Sequence, residues 1–452
     1  MGRRVAVIGG GLAGIAAALD CAARGAEVTL LESRGRLGGA AYSFTRDGLR
    51  VDNGQHVFLR CCTAYRGLLG RLEAADSVVL QRRLAIPVLA PGRRVSWLRR
   101  SRVPAPLHLA GALARYRLLG LGERATAARA MRALGAVDPS DQAADRCSFG
   151  DWLADQRQGP RAVEALWGLI ARPTLNLDPA NASLAQAAQV FQTGLLSEAA
   201  AGDVGYARVP LGTIHDAAAR RALARAGVEV RLRWGATAIA PEPDGGFSVE
   251  VSGAPTVRAE AVVLAVPHDR AARLLPPGAL PAPGRLADLG RSPIVNLHVA
   301  YDRRVMELPF AAGARSPVQW VFDRTASAGL EAGQYLVVSL SAADEEIGMT
   351  VDDLRSRYLP ALAELLPAAG GAGIETFFVT REHSATFRAE PGARALRPGP
   401  LTRLEGLVLA GAWTDTGWPA TMEGAVRSGQ AAAREALRAG AGAPRPMVAV
   451  AA

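Results

Sequence analysis

The stretch "VAVIGGGLAGIAAALDC", Val5–Cys21, decides how the rest of the chain is read. Arg4–Ile8 is a short β-rich run, the pattern of a buried parallel strand. Gly9-x-Gly11-x-x-Gly14 follows, and Ile15–Arg24 reads as a helix. "AEVTLLE", Ala26–Glu32, reads as a second strand ending in an acid 18 residues beyond Gly14. In this strand–turn–helix–strand setting the glycines acquire separate tasks. Gly9 permits the tight turn, Gly11 lets the backbone approach a pyrophosphate, and Gly14 lets helix and strand pack closely. Leu12 and Ala13 belong to the helix start, whose free N–H groups and dipole favour phosphate. Glu32 is placed to accept bonds from ribose hydroxyls, which implies an adenosine dinucleotide without choosing between NAD and FAD.

Working outward, 452 residues, about half apolar, are enough for two or three domains. The net charge of +10 raises nucleic acid and anionic membrane as partners. All 52 basic residues are arginine, beside abundant Ala and Gly, so the bulk charge reads as compositional bias. The four cysteines, Cys21, Cys61, Cys62 and Cys147, form no CxxC pair, and no His/Cys cluster indicates a metal. A reducing cytoplasm is the expected compartment. Asn181-Ala-Ser183 matches a glycosylation acceptor, a pattern common by chance. The two arginines before an apolar run imitate a signal peptide, but the glycine spacing favours the nucleotide-binding reading. No uncharged apolar run reaches the roughly 18 residues needed to span a bilayer.

"LESRGRLGGAAYSF" adds a second motif. Glu32, Arg34, Gly38 and Gly39 fit E-x-R-x-x-x-GG-R, with Ala40 in place of the final Arg. It resembles the second signature of flavin-dependent amine oxidases and carotenoid desaturases. "GLRVDNGQHVF", Gly48–Phe58, is similar to the segment that in this family lies along the flavin ring, so Gly54, Gln55 and His56 are candidate contacts. "AGAWTDTGWPATMEGAVRSG" resembles the family's C-terminal flavin motif, in which a helix N-terminus faces the flavin. That resemblance adds Gly411, Thr421, Met422, Glu423 and Ala425, with Ala412 where the family carries an acid. Val230, in the "GVEV" strand, is the candidate contact near the adenine.

Together, "DNGQHVFLRCCTAYRGLLGRL" and "TDTGWPATMEGAVRSG" resemble the squalene-associated FAD-dependent desaturases, the hydroxysqualene dehydroxylase branch, over nearly the whole chain. The resemblance implies an α/β fold: a Rossmann-like FAD-binding domain with an interleaved α+β substrate domain. The boundaries expected are 1–79, 205–270 and 398–440 for the FAD domain, 80–204 and 271–397 for the substrate domain, and a disordered tail at 441–452. It also implies FAD, an isoprenoid substrate, and reduction of hydroxysqualene to squalene on the route to hopanoids, with the electron donor unknown. The allylic hydroxyl needs an acid to leave, and His56, Asp52 and Asp415 are the candidates.

The segment from Leu80 to Gln192 reads as mostly helical. Its Trp97, Arg99, Arg100 and Arg102, followed by Leu109, Leu113, Tyr116 and Leu119, form a basic amphipathic stretch. That pattern suits either a solvated helix or peripheral contact with the inner face of a membrane. A phytoene-type desaturase is the alternative within the fold. A flavin-less lipid- or prenyl-binding protein of the same fold is the alternative from a different functional class. An amine oxidase relying on an active-site lysine is disfavoured, since the chain has no lysine. No aromatic–basic motif supports nucleic acid.

Overall fold

The computed structural model describes residues 2–438. The tail expected at 441–452 lies outside the described residues. The chain opens with β1 (Arg4–Ile8), α1 (Leu12–Ala22) and β2 (Glu27–Glu32), as the motif requires. Three later strands join them: β3 (Glu229–Leu232), β4 (Ala261–Leu264) and β5 (Leu407–Leu409). The five form one parallel sheet in the order β3-β2-β1-β4-β5. Val5, Val7, Leu30 and Val263 face α1, while Ala6, Ile8, Leu31 and Leu264 face a second apolar layer. A sheet buried on both faces explains why these strands are apolar almost throughout. The last described helix, α2 (Met422–Arg438), packs beside α1. Residues from both ends of the chain therefore build one layer.

A seven-stranded sheet forms the other half. Its order is Ile374–Thr386, Ser292–Tyr301, Gln334–Ser341, Trp320–Asp323, Phe310–Gly313, Ala85–Leu89 and Ser96–Arg99. All pairs are antiparallel except Phe310–Gly313 with Ala85–Leu89. Alternation sorts its side chains. Val295, Leu297 and Val299 pack against Leu354, Tyr358 and Leu362 of the helix Val351–Leu365, leaving Ile294, Asn296 and His298 on the opposite face.

One expectation is corrected. The segment from Leu80 to Gln192 is not helical from its start, because Ala85–Leu89 and Ser96–Arg99 are strands closing the sheet edge. Trp97 lies on the second of them, with the Arg99 guanidinium 3.6 Å from its ring centre. The run from Leu109 to Leu119 holds only the short helix Ala110–Ala114, and Leu121–Leu134 forms a separate one. Tyr116 is buried and donates to the Ala165 carbonyl at 2.6 Å.

Candidate active site

The turn after β1 is built by close contact. A Cβ on Gly14 would lie 1.8 Å from the Gly9 carbonyl oxygen, and Gly9 itself has φ +108°. No bulkier side chain fits at the first position, and the second favours glycine. Gly11, at the N-cap of α1, has no side chain to cap the helix, and among the described residues the N–H groups of Leu12 and Ala13 take no acceptor. They line the cavity described below, leaving it a positive helix end.

Glu32 braces this turn. Its Oε2 accepts from the Gly10 N–H at 2.7 Å, and its Oε1 accepts from the Arg34 N–H at 2.7 Å and the Ser33 hydroxyl at 3.1 Å. The second glycine pair packs directly against the first, with a Cβ on Gly39 falling 2.8 Å from the Gly11 Cα. Arg36 donates to the Gly39 carbonyl at 3.1 Å and stacks on Tyr42.

Across from the turn runs the polar strip Asn53–His56. Asn53 accepts from the Tyr42 N–H at 3.0 Å and donates to the Ala40 carbonyl at 2.8 Å and to Glu382 Oε1 at 2.9 Å. Its own carbonyl accepts from Asn296 Nδ2 at 3.0 Å, which ties the strip to the seven-stranded sheet. Gln55 Nε2 is buried without a hydrogen-bond partner among the described residues. Burial lowers the pKa of His56, against the opposing pull of Asp52 and Glu382. The ring is therefore neutral near pH 7.

Most of the residues singled out in the sequence meet here. Gly9, Gly11, Leu12, Ala13, Glu32, Arg34, Gly38, Gly39, Gly54, Gln55, His56, Gly411, Thr421, Met422 and Ala425 line one cavity of about 1500 Å³. Gly14 stands behind it as packing. Four others are placed elsewhere. Glu423 turns away from the cavity. It accepts from the Ala64 and Tyr65 N–H groups at 3.1 and 2.7 Å, at the start of the helix Thr63–Arg71, and pairs with Arg427. Val230 pairs with Leu30 in the sheet and packs near α1, outside the lining. Asp52 is held by Arg324 at 2.9 Å, the Ser43 hydroxyl at 2.6 Å and the Leu211 N–H at 2.9 Å. Asp415 faces Arg394 at 3.6 Å and accepts from the Gly417 N–H at 3.1 Å. Neither aspartate lines the cavity.

The sequence reading missed Glu382. It lines the cavity, yet belongs to no motif, and only its register with Ile294 brings it to the Asn53 strip. The cavity also has a large apolar lining, which includes Ile86, Leu98, Leu113, Leu166, Leu169 and Val190 and the aromatic rings of Phe310, Trp320 and Phe322. Leu107 lines it and is also 66% exposed, which marks a mouth.

The residues fit FAD. Free helix N–H groups, abutting glycine turns and a buried amide without a partner among the described residues line one cavity that also has room for an apolar molecule.

Comparison with known proteins agrees. The chain is 30% identical to hydroxysqualene dehydroxylase from Rhodopseudomonas palustris, over 97% of this chain and 100% of that one. It is 25% identical to the zeta-carotene desaturase of Solanum lycopersicum, over 95% of this chain and 80% of that one. Its fold resembles that of putrescine oxidase bound to putrescine, with TM-score 0.73 at 20% identity, covering 97% and 99% of the two chains. The family described as flavin containing amine oxidoreductase matches residues 12–437. The chain belongs to that family and is an FAD-dependent oxidoreductase.

Proposed function

We propose that the protein reduces hydroxysqualene to squalene, in the service of hopanoid synthesis. The observation that carries this reading is the continuity of the cavity, from the glycine turn past the Asn53–His56 strip into an apolar, aromatic-walled chamber. Such a shape suits a long hydrocarbon bearing one polar group. The similarity to hydroxysqualene dehydroxylases supports the choice of substrate.

FAD, when bound, supplies the hydride. The chain's residues do the rest. The α1 N-terminus and Gly11 would hold the diphosphate, and Glu32, braced by the Gly10 and Arg34 N–H groups, would present its remaining lone pairs to the ribose. Arg34, Gly38, Gly39, Gly54, Gln55, Gly411, Thr421, Met422 and Ala425 shape the rest of the cofactor site. His56, kept neutral by burial, donates a ring hydrogen bond to the allylic hydroxyl. The apolar lining excludes water, which would otherwise return the alcohol. The domain division given by the sequence is part of the proposal. Strands from its three FAD segments meeting in one parallel sheet support it.

The substrate dissolves in lipid, so peripheral contact with the inner face of a membrane belongs to the reading. Leu107 and Leu121, 66% and 81% exposed, lie in the segment that carries the mouth, beside exposed Val103 and Arg102. No helix among the described residues is long and apolar enough to cross a membrane. The reductant of FAD is an external donor.

The test is anaerobic. Reduced holoenzyme mixed with hydroxysqualene is expected to regain oxidised-flavin absorbance with stoichiometric squalene in the lipid extract. A flavin that stays reduced would remove this substrate. The similarity to zeta-carotene desaturase favours a second reading, hydride removal from a carotenoid precursor. Oxidised holoenzyme that bleaches with phytoene-type polyenes would select it.

A further inference from the structure

We infer that Glu382 is the fixed negative charge against which positive charge develops on the substrate, and hence a catalytic residue of this site. The inference rests on the reading of hydride chemistry at an isoprenoid carbon, and holds for either direction of transfer.

Among the described residues three carboxylates line the cavity: Glu32, Asp269 and Glu382. Glu32 has both oxygens committed to the backbone around the glycine turn. Asp269 lies in ion pairs with Arg291 at 2.9 Å and Arg273 at 3.5 Å. Glu382 differs from both. Oε1 accepts from Asn53 at 2.9 Å and from the Tyr42 hydroxyl at 3.3 Å, which fixes the group. Oε2 takes no hydrogen bond among the described residues, and no ion pair neutralises the carboxylate. Arg36, which feels its charge, is stacked on Tyr42 and bonded to the Gly39 carbonyl.

The fold places this charge by alternation. Phe378, Thr380 and Glu382 share a face of their strand and pair with His298, Asn296 and Ile294. That face carries Asn296 against the Asn53 carbonyl, so Glu382 arrives beside the strip assigned to the flavin ring. The aromatic wall lies elsewhere on the same sheet. Trp320 is in register with Ser339, Asn296 and Thr380, three strands away. At ~4.8 Å per strand that is ~14 Å. The rings therefore suit the hydrocarbon tail, and Glu382 suits the reacting end.

In reductive dehydroxylation the C–O bond breaks and the oxygen leaves as water with a proton drawn from the medium. The carbon is left as an allylic cation until hydride forms the C–H bond. In desaturation the C–H bond breaks and its electron pair leaves as hydride, again putting positive charge on carbon, and the double bond forms when the adjacent carbon gives up a proton to the medium. A preorganised carboxylate on the wall of a largely apolar cavity favours that charge without reorganising.

The test uses full-length holoenzyme and two probes of the same shape: dimethylfarnesylamine, protonated at neutral pH, and its isosteric hydrocarbon. Binding is read by tryptophan fluorescence, with the flavin spectrum as a check on the site. Wild type is expected to prefer the amine by about tenfold, the size of one modest charge interaction. Glu382→Gln keeps an acceptor for Asn53 and Tyr42 but removes the charge. It should erase the preference while leaving hydrocarbon affinity and flavin absorbance unchanged, and Glu382→Asp should retain part of the preference. Equal affinities in wild type, or an undiminished preference in the Gln variant, would overturn the inference. Should the Gln variant lose its flavin, the wild-type comparison and the Asp variant decide. If hydroxysqualene is not turned over but the amine preference follows the charge at 382, the substrate reading falls and the role of Glu382 stands.

Discussion

Gly429 and Ala13 touch backbone to backbone: a Cβ at Gly429 would lie 2.1 Å from the Ala13 carbonyl oxygen. Ala13 belongs to the first turn of α1, Gly429 to the helix that ends the described structure. The contact sets the spacing of α1 and α2, both of which present their first turns to the cavity.

Replacing Gly429 therefore tests whether that spacing matters. Gly429→Val must push the helices apart, since the atom it meets is backbone. We expect a loss of about 3 kcal/mol in unfolding free energy, the upper range for overpacking. Weaker FAD retention on gel filtration should accompany it. A variant with normal denaturation midpoint and full flavin content would show that the helices tolerate the shift.

Asp52 and Arg324 give the second prediction. They form a buried ion pair at 2.9 Å between segments 272 residues apart. Arg324→Met leaves the aspartate charge unpaired and should cost about 4 kcal/mol in urea unfolding. Asp52→Asn should destabilise too, while turnover per folded, flavin-loaded molecule stays near wild type. An Asn variant that is stable but inactive would return Asp52 to the chemistry.

The third concerns pH. His298 and His215 are fully buried, with burial the main cause lowering their pKa values to about 3 and about 4. In the unfolded chain both take up a proton near pH 6.5. Below that value the unfolded state holds more protons than the folded one, so stability falls as pH falls, down to the folded pKa values. At pH 5 each histidine accounts for about 2 kcal/mol of the loss. Unfolding free energies at pH 7.5 and 5 should differ by about 2 kcal/mol less in His298→Gln than in wild type. Identical losses in the two proteins would contradict the assignment.

What the sequence shows and what it hides follow from the range of the interactions. The glycine turn and Glu32 are legible because their partners lie within one strand–helix–strand unit. The C-terminal motif is legible through its wording, but the direction of Glu423 is not. Which way that side chain points depends on the helix Thr63–Arg71 standing opposite. Ala85–Leu89 hides in an Arg/Ala/Leu-rich segment although its hairpin partner Ser96–Arg99 is local, because the composition around it reads as helical and its other edge is covered only by the distant Phe310–Gly313. Glu382 hides too, since a register between distant strands, not a local pattern, brings it to Asn53.

The strand order has a consequence for how the protein is made. β1 and β2 leave the ribosome early, yet β4 and β5 come from residues 261–264 and 407–409, and the helix that seats against Ala13 begins at Met422. Through most of synthesis the nascent sheet carries an open apolar edge at β1, the kind of surface that invites mispairing. The glycine turn is complete by Glu32 and the Asn53–His56 strip follows soon after, but the α2 side of the chamber arrives only with Met422. Cofactor capture thus waits on α2, and a chain stalled before Leu407 has its phosphate turn without the helix that completes the chamber.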